Sequence, residues 1–442
     1  IKEPQIKIDL AKSSFSKPEK YWATFAKDSI DKRKLKTYVS IDSLSNAAQI
    51  EHKLFLGKKI INGYFPISII DVDLRTLVKY NNFEGFRFGV GGVTNSKLSE
   101  QYKIGGYAAY GLKDGALKYG ITPSYLLNKK TETWVSASYS DDVSELAQTS
   151  FVTDSRKFRL YDPRPINIST FYNVKTTAAI IESKIFTKLN SYFSLSHNEI
   201  QPLFDYTFVN KGINYTNYTI SSAMLAVQWN PYSNYMSTPI GVIETEKRHP
   251  KFSFQYTQTL PNVLNNDFIF SKIDFKTFYE IPFLSGQKSS FLFQGGIAFG
   301  DVPLTHLYSV APNNINRDAI IQRITFAGKN SFETMYYNEF FSNKYTSLQF
   351  KHTFNKINIW RKISPEFSIA TRMAWGTIDK ANEHIGLPIK SLEKGFFESG
   401  IEANKIYNGL GLTAFYRYGP NQLARFDDNL SIKISYFLDL GF

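Results

Sequence analysis

The chain has 442 residues, a formal net charge of +13 and no cysteine. Without cysteine it can form no disulfide, no cysteine zinc site and no thiol nucleophile. Aromatic residues make up 16% of the chain although its mean hydropathy is -0.27, and this combination favours strands and membrane interfaces. The 52 Lys and Arg are scattered rather than clustered in runs. We therefore expect them to face a polar lumen or anionic lipid head groups, and not nucleic acid.

No stretch of about eighteen or more uninterrupted apolar residues occurs, which excludes a transmembrane helix. A transmembrane β-barrel is not excluded by this test, because its lipid-facing residues alternate with polar residues of the lumen. The sequence begins with Ile1 and not with Met. We therefore expect that a preceding segment was removed or lies outside this sequence.

The amino-terminal part of the chain predicts helices. The stretch SKPEKYWATFAKDS can open a helix with Ser16 as its cap and Pro18 in its first turn. A second stretch, DKRKLKTYVSIDSL, repeats apolar residues at helical spacing. We expect residues 1–80 to form a periplasmic lead-in with short amphipathic helices that pack on the main domain. In an alternative interpretation, the lead-in docks on a barrel mouth or on the membrane surface.

From Glu84 onward, apolar and polar residues alternate with a period of two. The stretch NDFIFSKIDFKTFYE, for example, sets aromatic and aliphatic residues against Lys272, Asp274 and Lys276. Short turn sequences such as KDG join neighbouring segments of this kind. The pattern is typical of strands that pair with their neighbours in an antiparallel meander.

The alternating segments predict about sixteen strands, an even number, as a single-chain bacterial barrel requires. The strand number is open by about two between residues 174 and 229. A further strand could lie in GYFPISIIDVDLRTLVKY, and one predicted strand would then have to be merged or added elsewhere. The predicted strands are 84–93, 101–112, 115–127, 131–141, 174–188, 190–199, 200–210, 218–229, 250–260, 267–280, 288–300, 345–355, 364–375, 396–406, 408–418 and 428–442.

Charge on one face of the strands distinguishes a membrane barrel from a soluble protein. A cation that faced lipid at the midplane would cost about 2 to 4 kcal/mol, so the charged side chains must face the lumen. The opposite faces are apolar from strand to strand and would form too large a patch for a soluble monomer; the soluble alternative is a β-sandwich. We therefore predict an all-β fold, with a transmembrane antiparallel β-barrel at residues 81–442. The predicted lumen residues are Arg87, Lys272, Asp274, Lys276, Arg323, Arg417 and Lys433.

An ordered series of segments in the C-terminal half carries a resemblance to a known family. It consists of NPYSNYMSTPIGVIETEKRHP, KFSFQYTQTL, PNVLNN, FIFSKIDFKTFYEI and FLFQGGIAFGDVP. This series resembles the outer-membrane assembly, or surface-antigen, barrel superfamily. The resemblance implies sixteen strands, periplasmic amino-terminal domains and a role in inserting or exporting other proteins. It also implies that the long loop 301–344 folds back into the lumen.

Four further stretches, YWATFAKDSIDKRKLKTY, YNNFEGFRFGVGGVTN, GGYAAYGLKDGALKYG and SFETMYYNEFFSNKY, carry a closer resemblance. They are similar to outer-membrane barrel proteins with an amino-terminal carboxypeptidase-regulatory-like domain, which implies such a domain before Ile1. The superfamily's inward loop usually carries an Arg-Gly-aromatic motif, and no such tripeptide occurs in 301–344. Arg317, Arg323 and Lys329 are the cations that could replace its charge.

The resemblance also implies a seam between the first and last strands, which could open and offer strand edges to a client. The carboxyl-terminal row of Tyr436, Leu438, Leu440 and Phe442 resembles the signal that outer-membrane barrels present to the assembly machinery. The predicted seam residues are Phe86, Phe88 and Val90 on one side and Leu430, Ile432 and Ile434 on the other.

The sequence contains no familiar catalytic motif. Its six histidines lie in separate segments without ligand spacing, and there is no Walker loop or nucleophile elbow. A triad built from distant residues is an alternative that the sequence leaves open. We expect no enzymatic activity, metal or cofactor.

The expected location is the outer membrane of a Gram-negative bacterium, with its lipids, including lipopolysaccharide head groups, and other envelope proteins as partners. The expected role is protein assembly, export or membership of an envelope complex. The alternative is a passive channel or porin with a charged lumen.

Overall fold

The computed structural model places the chain in two compact units, residues 1–58 and 59–442. In the first unit the described residues of the second predicted lead-in helix are helical, whereas the first predicted helix lies outside the described residues. A domain division at residue 80 stays a prediction. The structure describes residues 50–147, 149–154, 168, 170–238, 241–360 and 363–436, together with Lys36, Thr37, Ser40 and Ser43.

Short helices are few in the described part of the chain. Within it, none is both long enough and apolar enough to pass through a membrane. The α-helices are α1 (Ile50–Ile61), α2 (Leu74–Leu77) and α3 (Phe426–Asn429), and the 3-10 helices are Leu304–His306, Ile320–Arg323 and Ala381–Glu383.

Strands account for most of the remaining structure. The first thirteen are β1 (Tyr64–Ile67), β2 (Ile70–Asp73), β3 (Val78–Asn81), β4 (Gly85–Thr94), β5 (Tyr102–Gly111), β6 (Leu117–Asn128), β7 (Thr133–Glu145), β8 (Phe171–Phe186), β9 (Leu189–Pro202), β10 (Thr207–Asn210), β11 (Ile213–Tyr215), β12 (Tyr218–Trp229) and β13 (Asn234–Thr238). The others are β14 (Gly241–Glu246), β15 (Lys251–Thr259), β16 (Phe270–Pro282), β17 (Lys288–Gly300), β18 (Pro312–Asn314), β19 (Thr325–Phe326), β20 (Phe332–Tyr336), β21 (Lys344–Thr353), β22 (Glu366–Thr377), β23 (His384–Ile385), β24 (Leu392–Tyr407), β25 (Leu410–Tyr418) and β26 (Leu430–Tyr436).

The large sheet is an antiparallel meander in which each long strand pairs with the next long strand along the chain. Fifteen of its strands are β4, β5, β6, β7, β8, β9, β12, β15, β16, β17, β21, β22, β24, β25 and β26. The segment 70–81 precedes them, which gives sixteen in the described residues. The predicted fold class, an antiparallel β-barrel of about sixteen strands, is confirmed.

The first strand of the meander is interrupted. β2 pairs with one end of β4 and β3 with the other, and the single turn of α2 lies between them. Asp73 caps this turn, since its carboxylate accepts a hydrogen bond from the Arg75 backbone N–H at 3.1 Å. The additional strand that the sequence left open in residues 63–80 is therefore present.

With this additional strand the sixteen predicted strands would become seventeen. The count of the meander returns to sixteen because one predicted strand is not a separate strand of the large sheet. The predicted strand 200–210 does not exist as a unit, because β9 continues to Pro202 and the chain then leaves the large sheet. Residues 207–210 form β10 in a separate sheet with β11 and β23. Alternation of apolar and polar residues continues across the intervening bend, so the pattern alone did not reveal the break.

The two faces of the large sheet differ in chemistry. Large apolar side chains on the outer face are exposed, for example Val90 (69%) and Ile401 (63%). The inner face carries buried charged side chains such as Arg87, Glu398 and Lys433. A soluble β-sandwich would bury its apolar faces against each other, whereas this apolar face is left uncovered, as in a transmembrane barrel.

The two ends of the barrel also differ. At one end most connections are short, as at 129–132, 187–188 and 408–409, and the connection 230–250 there carries the hairpin of β13 and β14. At the other end the long connections pack together into a hydrophobic core with fully buried aromatic rings. We call these the short-turn end and the long-loop end. Rings of this core include Phe208, Phe268, Phe332, Phe341 and Phe396.

Candidate functional site

The connection between β17 and β21, the eleventh and twelfth strands, is a folded structure; we call residues 301–343 the inserted segment. Its entrance requires glycine, because Gly300 has φ of +101° and a Cβ there would lie 2.3 Å from the Ile269 carbonyl oxygen. Two backbone hydrogen bonds between Tyr308 and Ser342, at 2.9 and 3.0 Å, close its neck. Inside it, β18 and β20 pair in parallel.

Glu398 on β24 holds the backbone of the inserted segment. Its carboxylate accepts hydrogen bonds from the backbone N–H groups of Glu333 (3.0 Å) and Thr334 (2.9 Å) and from the Thr334 hydroxyl (2.6 Å). Arg372, opposite it on β22, donates to the same carboxylate at 2.8 Å. Glu398 is 0% exposed, so these charge-assisted bonds form away from water, where they are strong.

Glu333 is the matching carboxylate on the inserted segment itself. It accepts hydrogen bonds from the Asn313 side-chain amide (2.7 Å) and the Gly328 backbone N–H (3.1 Å). The Lys433 ammonium, on β26, lies 4.0 Å from it and donates to the Asn313 carbonyl oxygen and, at 3.0 Å, to the Thr325 hydroxyl. The last strand is thus tied to two parts of the inserted segment.

Two further buried arginines complete the attachment. Arg417 on β25 binds Glu339 through both guanidinium nitrogens, at 3.1 and 2.8 Å, and lies 4.7 Å from the centre of the Phe396 ring. Arg323, within the inserted segment, donates at 3.0 Å to Asp428 of α3, the short helix that precedes β26. We call the residues that hold the inserted segment the clamp. They are Arg372, Glu398, Arg417 and Lys433 of the strands and Arg323, Glu333 and Glu339 of the inserted segment.

The polarity of the clamp differs from the sequence expectation. Arg317, Arg323 and Lys329 were the cations expected to supply the charge of the missing Arg-Gly-aromatic motif. Arg317 and Lys329 are exposed, and only Arg323 is buried. The inserted segment meets the arginines of β22 and β25 with Glu333 and Glu339, so its anchoring groups toward these two strands are anionic, and Arg323 is its one buried cation in the clamp.

Arg87, a predicted lumen residue, belongs to a second buried cluster. It binds Asp142 of β7 at 2.6 and 2.9 Å, and the Tyr107 hydroxyl donates to the same carboxylate at 2.6 Å. Glu84 lies 3.4 Å from Arg87 and 3.1 Å from Lys118. All five residues lie on or beside the strands β4 to β7, so this wall cluster joins the barrel wall to itself.

The predicted lumen residues of β16 lie in a third place. Lys272 stands 4.3 Å above the Tyr308 ring, Asp274 is buried, and Lys276 forms an ion pair with Asp154. These side chains contact the start of the inserted segment and the 149–154 segment. The predicted lumen residues are therefore divided among three groups and do not line a single open channel.

The predicted seam needs a correction on its first side. Phe86, Phe88 and Val90 are exposed on the outer face, but β4, on which they lie, is paired on both sides. They are not at an edge, because β2 and β3 precede β4 in the sheet. β2 is itself covered by β1 on its other side, so the edge of the described sheet at this place belongs to β1 and β3.

The last strand carries the other side of the seam. Leu430, Ile432 and Ile434 are half-buried on its outer face, and one edge of β26 pairs with β25. On its other edge it pairs in parallel with β19 of the inserted segment. In the described residues, β26 has register partners in β25 and β19 and none in β2 or β3.

The predicted carboxyl-terminal signal is only partly described. Tyr436, half-buried on the outer face, is the last residue of β26. Leu438, Leu440 and Phe442 lie outside the described residues, and the signal stays a prediction.

A layer of loops at the long-loop end surrounds His384. The Tyr206 hydroxyl lies 2.8 Å from its Nδ1, and its ring stacks on Phe208 with centroids 5.1 Å apart. Burial lowers the pKa of His384 to about 4, since the charged imidazolium would lose its hydration. His384 therefore stays neutral at neutral pH.

Sequence reasoning missed the carboxylates of the clamp and one of its arginines. Glu333 and Glu339 lie in the quoted stretch SFETMYYNEFFSNKY but were not singled out, and Arg372 and Glu398 were not named. A usable signal was the position of Arg372 and Glu398 in the polar phase of strongly alternating strands. In the described part of the chain, no group of three His, Asp or Glu could hold a metal ion.

A protein-family comparison decides the classification. Residues 52–366 match the model described as "Family of unknown function (DUF5686) C-terminal domain". The chain belongs to this family. No curated protein matches this DUF5686 chain.

Three solved structures are similar to this DUF5686 chain at low sequence identity. BamA from Haemophilus ducreyi, lacking POTRA domains 1–3, has a TM-score of 0.48 and 11% identity over 83% of this chain and 69% of its own. CdiB from Escherichia coli has a TM-score of 0.46 and 10% identity over 83% of this chain, and CdiB from Acinetobacter baumannii 0.41 and 14% over 80%. The matched region spans 62% and 57% of the two CdiB chains.

Proposed function

We propose that this chain is an outer-membrane barrel of a Gram-negative bacterium that acts without catalysis in the assembly or export of other proteins, alone or as a subunit of an envelope complex. Its working part is the seam between residues 70–81 and β26. Its partners are outer-membrane lipids, including lipopolysaccharide, and other envelope proteins. Membership of the surface-antigen superfamily and a regulatory-like domain before Ile1 are part of the same proposal.

The observation that carries the proposal is the state of the last strand. In the described residues, β26 pairs with β25 on one edge and with only two residues of β19 on the other, and with neither β2 nor β3, although a bilayer offers no water to satisfy an edge left without a strand. An edge of this kind is costly in lipid unless a function uses it, and adding a strand to an edge is a common way of binding an extended polypeptide.

The passive channel is the weaker candidate. A sixteen-stranded barrel can hold an aqueous pore only if nothing fills it. Here the inserted segment carries buried polar and apolar residues against β22, β24, β25 and β26, and the clamp pairs the charges of Arg323, Arg417 and Lys433 with carboxylates. The contacts of Glu398 with Glu333 and Thr334 support a filled interior.

Closing the seam covalently tests the proposal. The chain lacks cysteine, so pairs of introduced cysteines react only with each other. Val78 or Tyr80 on β3 would be combined with Ile432 or Ile434 on β26, since these side chains share the outer face. Oxidised pairs that crosslink should reduce the amount of folded outer-membrane proteins in cells that depend on this chain, and reduction should restore it.

A matched control crosslinks strands that are already paired. Leu412 and Ile434 are opposite each other on β25 and β26, and a Leu412→Cys/Ile434→Cys pair adds a disulfide without closing the seam. It should leave assembly unchanged. Full assembly with the seam crosslinked to completion would refute the proposal.

A further inference from the structure

The free edge of the last strand is occupied by a piece of the same chain. A strand has two edges, and β26 uses one of them for β25. On the other edge Thr325 lies opposite Lys433 and Phe326 opposite Ile434, and the Ala327 backbone N–H donates to the Ile434 carbonyl oxygen at 2.8 Å. We call residues 325–327 the stand-in strand. It takes the edge on which the first strand would close the barrel.

The side chains of the stand-in strand follow the alternation of a barrel strand. Thr325 shares the inner face with Lys433, whose ammonium donates to its hydroxyl at 3.0 Å. Phe326 is opposite Ile434 on the outer, apolar face. Successive residues of a strand point to opposite faces, so the segment presents a polar group to the lumen and an aromatic ring to the outside.

The stand-in strand is short and runs parallel to β26. Besides its pairing, it is held by the Asn313 side-chain amide, which donates to the Phe326 carbonyl oxygen at 3.1 Å, and by contacts at its two ends. Before it, Arg323 donates to Asp428 and to the Asp427 carbonyl oxygen. After it, the Gly328 N–H donates to Glu333. Its own pairing covers only two residues of β26, whereas a longer strand can pair along all of residues 430–436. A longer strand therefore gains more backbone hydrogen bonds than the stand-in strand loses.

We propose that this edge of β26 is a binding site for an extended segment of another polypeptide, and that the stand-in strand is a resident mimic that the segment must displace. The preferred partner alternates polar and apolar residues, with a hydroxyl or amide side chain opposite Lys433 and a large apolar one opposite Ile434. This inference rests on the proposed function, because it names the partner of the same seam. Pairing by the first strand of the chain itself requires the same displacement.

A peptide-exchange experiment on the full chain in detergent micelles tests the inference. The probe is a benzophenone-labelled peptide with the sequence LSIKISYFLDLGF, which has the required alternation, and a peptide of scrambled order is its control. Ala327→Pro removes the N–H that donates to Ile434 and should increase crosslinking of the probe to β26 about three- to tenfold, the range expected for one hydrogen bond. Ala327→Ser keeps the N–H and should behave as the parent chain.

If Ala327→Pro folds poorly, a variant with a disulfide between the stand-in strand and β26 tests the same inference. Phe326→Cys/Ile434→Cys should, when oxidised, abolish crosslinking of the probe, and reduction should restore it. Equal crosslinking in the oxidised and reduced forms would overturn the inference. So would an Ala327→Pro chain in which β26 crosslinks to residues 70–81 and never to the probe, since the occupant would then be the chain's own first strand.

The failure of this inference is distinguishable from failure of the proposed function. If the probe exchanges as expected but closing the seam leaves outer-membrane protein assembly intact, the edge binds a strand and the assembly role is wrong. If closing the seam blocks assembly but the probe never displaces the stand-in strand, the role stands and the mimic is wrong.

Discussion

Two regions of the barrel wall use buried arginine–carboxylate pairs for different purposes. In the wall cluster, Arg87 binds Asp142, and both residues belong to the β4–β7 part of the sheet. In the clamp, Arg372 and Glu398 pair on adjacent strands. The Glu398 carboxylate also accepts hydrogen bonds from the backbone of the inserted segment.

This difference between the wall cluster and the clamp indicates which buried ion pairs control the position of the inserted segment. Breaking the wall cluster removes a link between strands that a continuous backbone ladder already holds together. Breaking the clamp removes the buried ion pairs between the barrel and the inserted segment. The remaining links to the sheet are the short pairing of β19 with β26 and single contacts, such as the bond from the Gln349 side-chain amide to the Asn330 carbonyl oxygen at 2.9 Å. The clamp is therefore the part of the barrel where a few side chains govern a large rearrangement.

The largest effect is expected from Glu398→Ala. It leaves the N–H groups of Glu333 and Thr334 without their acceptor in a buried site, and Arg372 keeps only its longer ion pairs with Glu402 (3.6 Å) and Glu333 (3.8 Å). A broken buried pair costs about 3 to 5 kcal/mol. We expect hydrogen exchange of residues 332–336 to accelerate and planar-bilayer recordings to show openings that the parent chain lacks, because the inserted segment is released.

Glu398→Gln is the matched control, since it retains an acceptor oxygen and the shape of the side chain. Its effects on exchange and conductance should be clearly smaller. A closed barrel with unchanged exchange in the alanine variant would show that the clamp does not hold the inserted segment.

The clamp also shows what sequence can and cannot predict. Alternation is a local signal, so the strands, their faces and the burial of Arg417 and Lys433 were predictable. The broken first strand was left open because α2 interrupts the period at Leu74–Leu77. The contact of Glu398 with Glu333 joins residues 65 positions apart, and one sequence without relatives carries no signal for such a pair.

A smaller effect is expected from Arg87→Met in the wall cluster. Asp142 keeps the Tyr107 hydroxyl, and Glu84 keeps Lys118 and the Asn81 side-chain amide, so the remaining carboxylates stay partly paired. We expect a loss of about 2 to 3 kcal/mol in the free energy of unfolding, below that of a fully broken pair. Denaturant titration followed by tryptophan fluorescence measures it.

The comparison of the two regions depends on what Arg87→Met leaves unchanged. Hydrogen exchange of residues 332–336 and the conductance baseline should match the parent chain. If this variant released the inserted segment as readily as Glu398→Ala, the two clusters would be one coupled network, and the distinction between wall and clamp would fail.

The smallest effect concerns pH and separates the loop layer from both clusters. Burial lowers the pKa of His384 to about 4, so between that value and its ordinary 6.5 the unfolded chain binds a proton that the folded loops exclude. Stability is therefore complete above the ordinary pKa and falls as the pH drops toward 4. Down to about pH 5 the loss of folding free energy should be about 1 to 2 kcal/mol, seen as faster hydrogen exchange in residues 207–215.

The variant His384→Gln should reduce the dependence of stability on pH without abolishing it, because burial also lowers the pKa of His306, to about 3. An unchanged slope in that variant would place the proton-sensitive group elsewhere and leave the loop layer as insensitive to pH as the wall cluster.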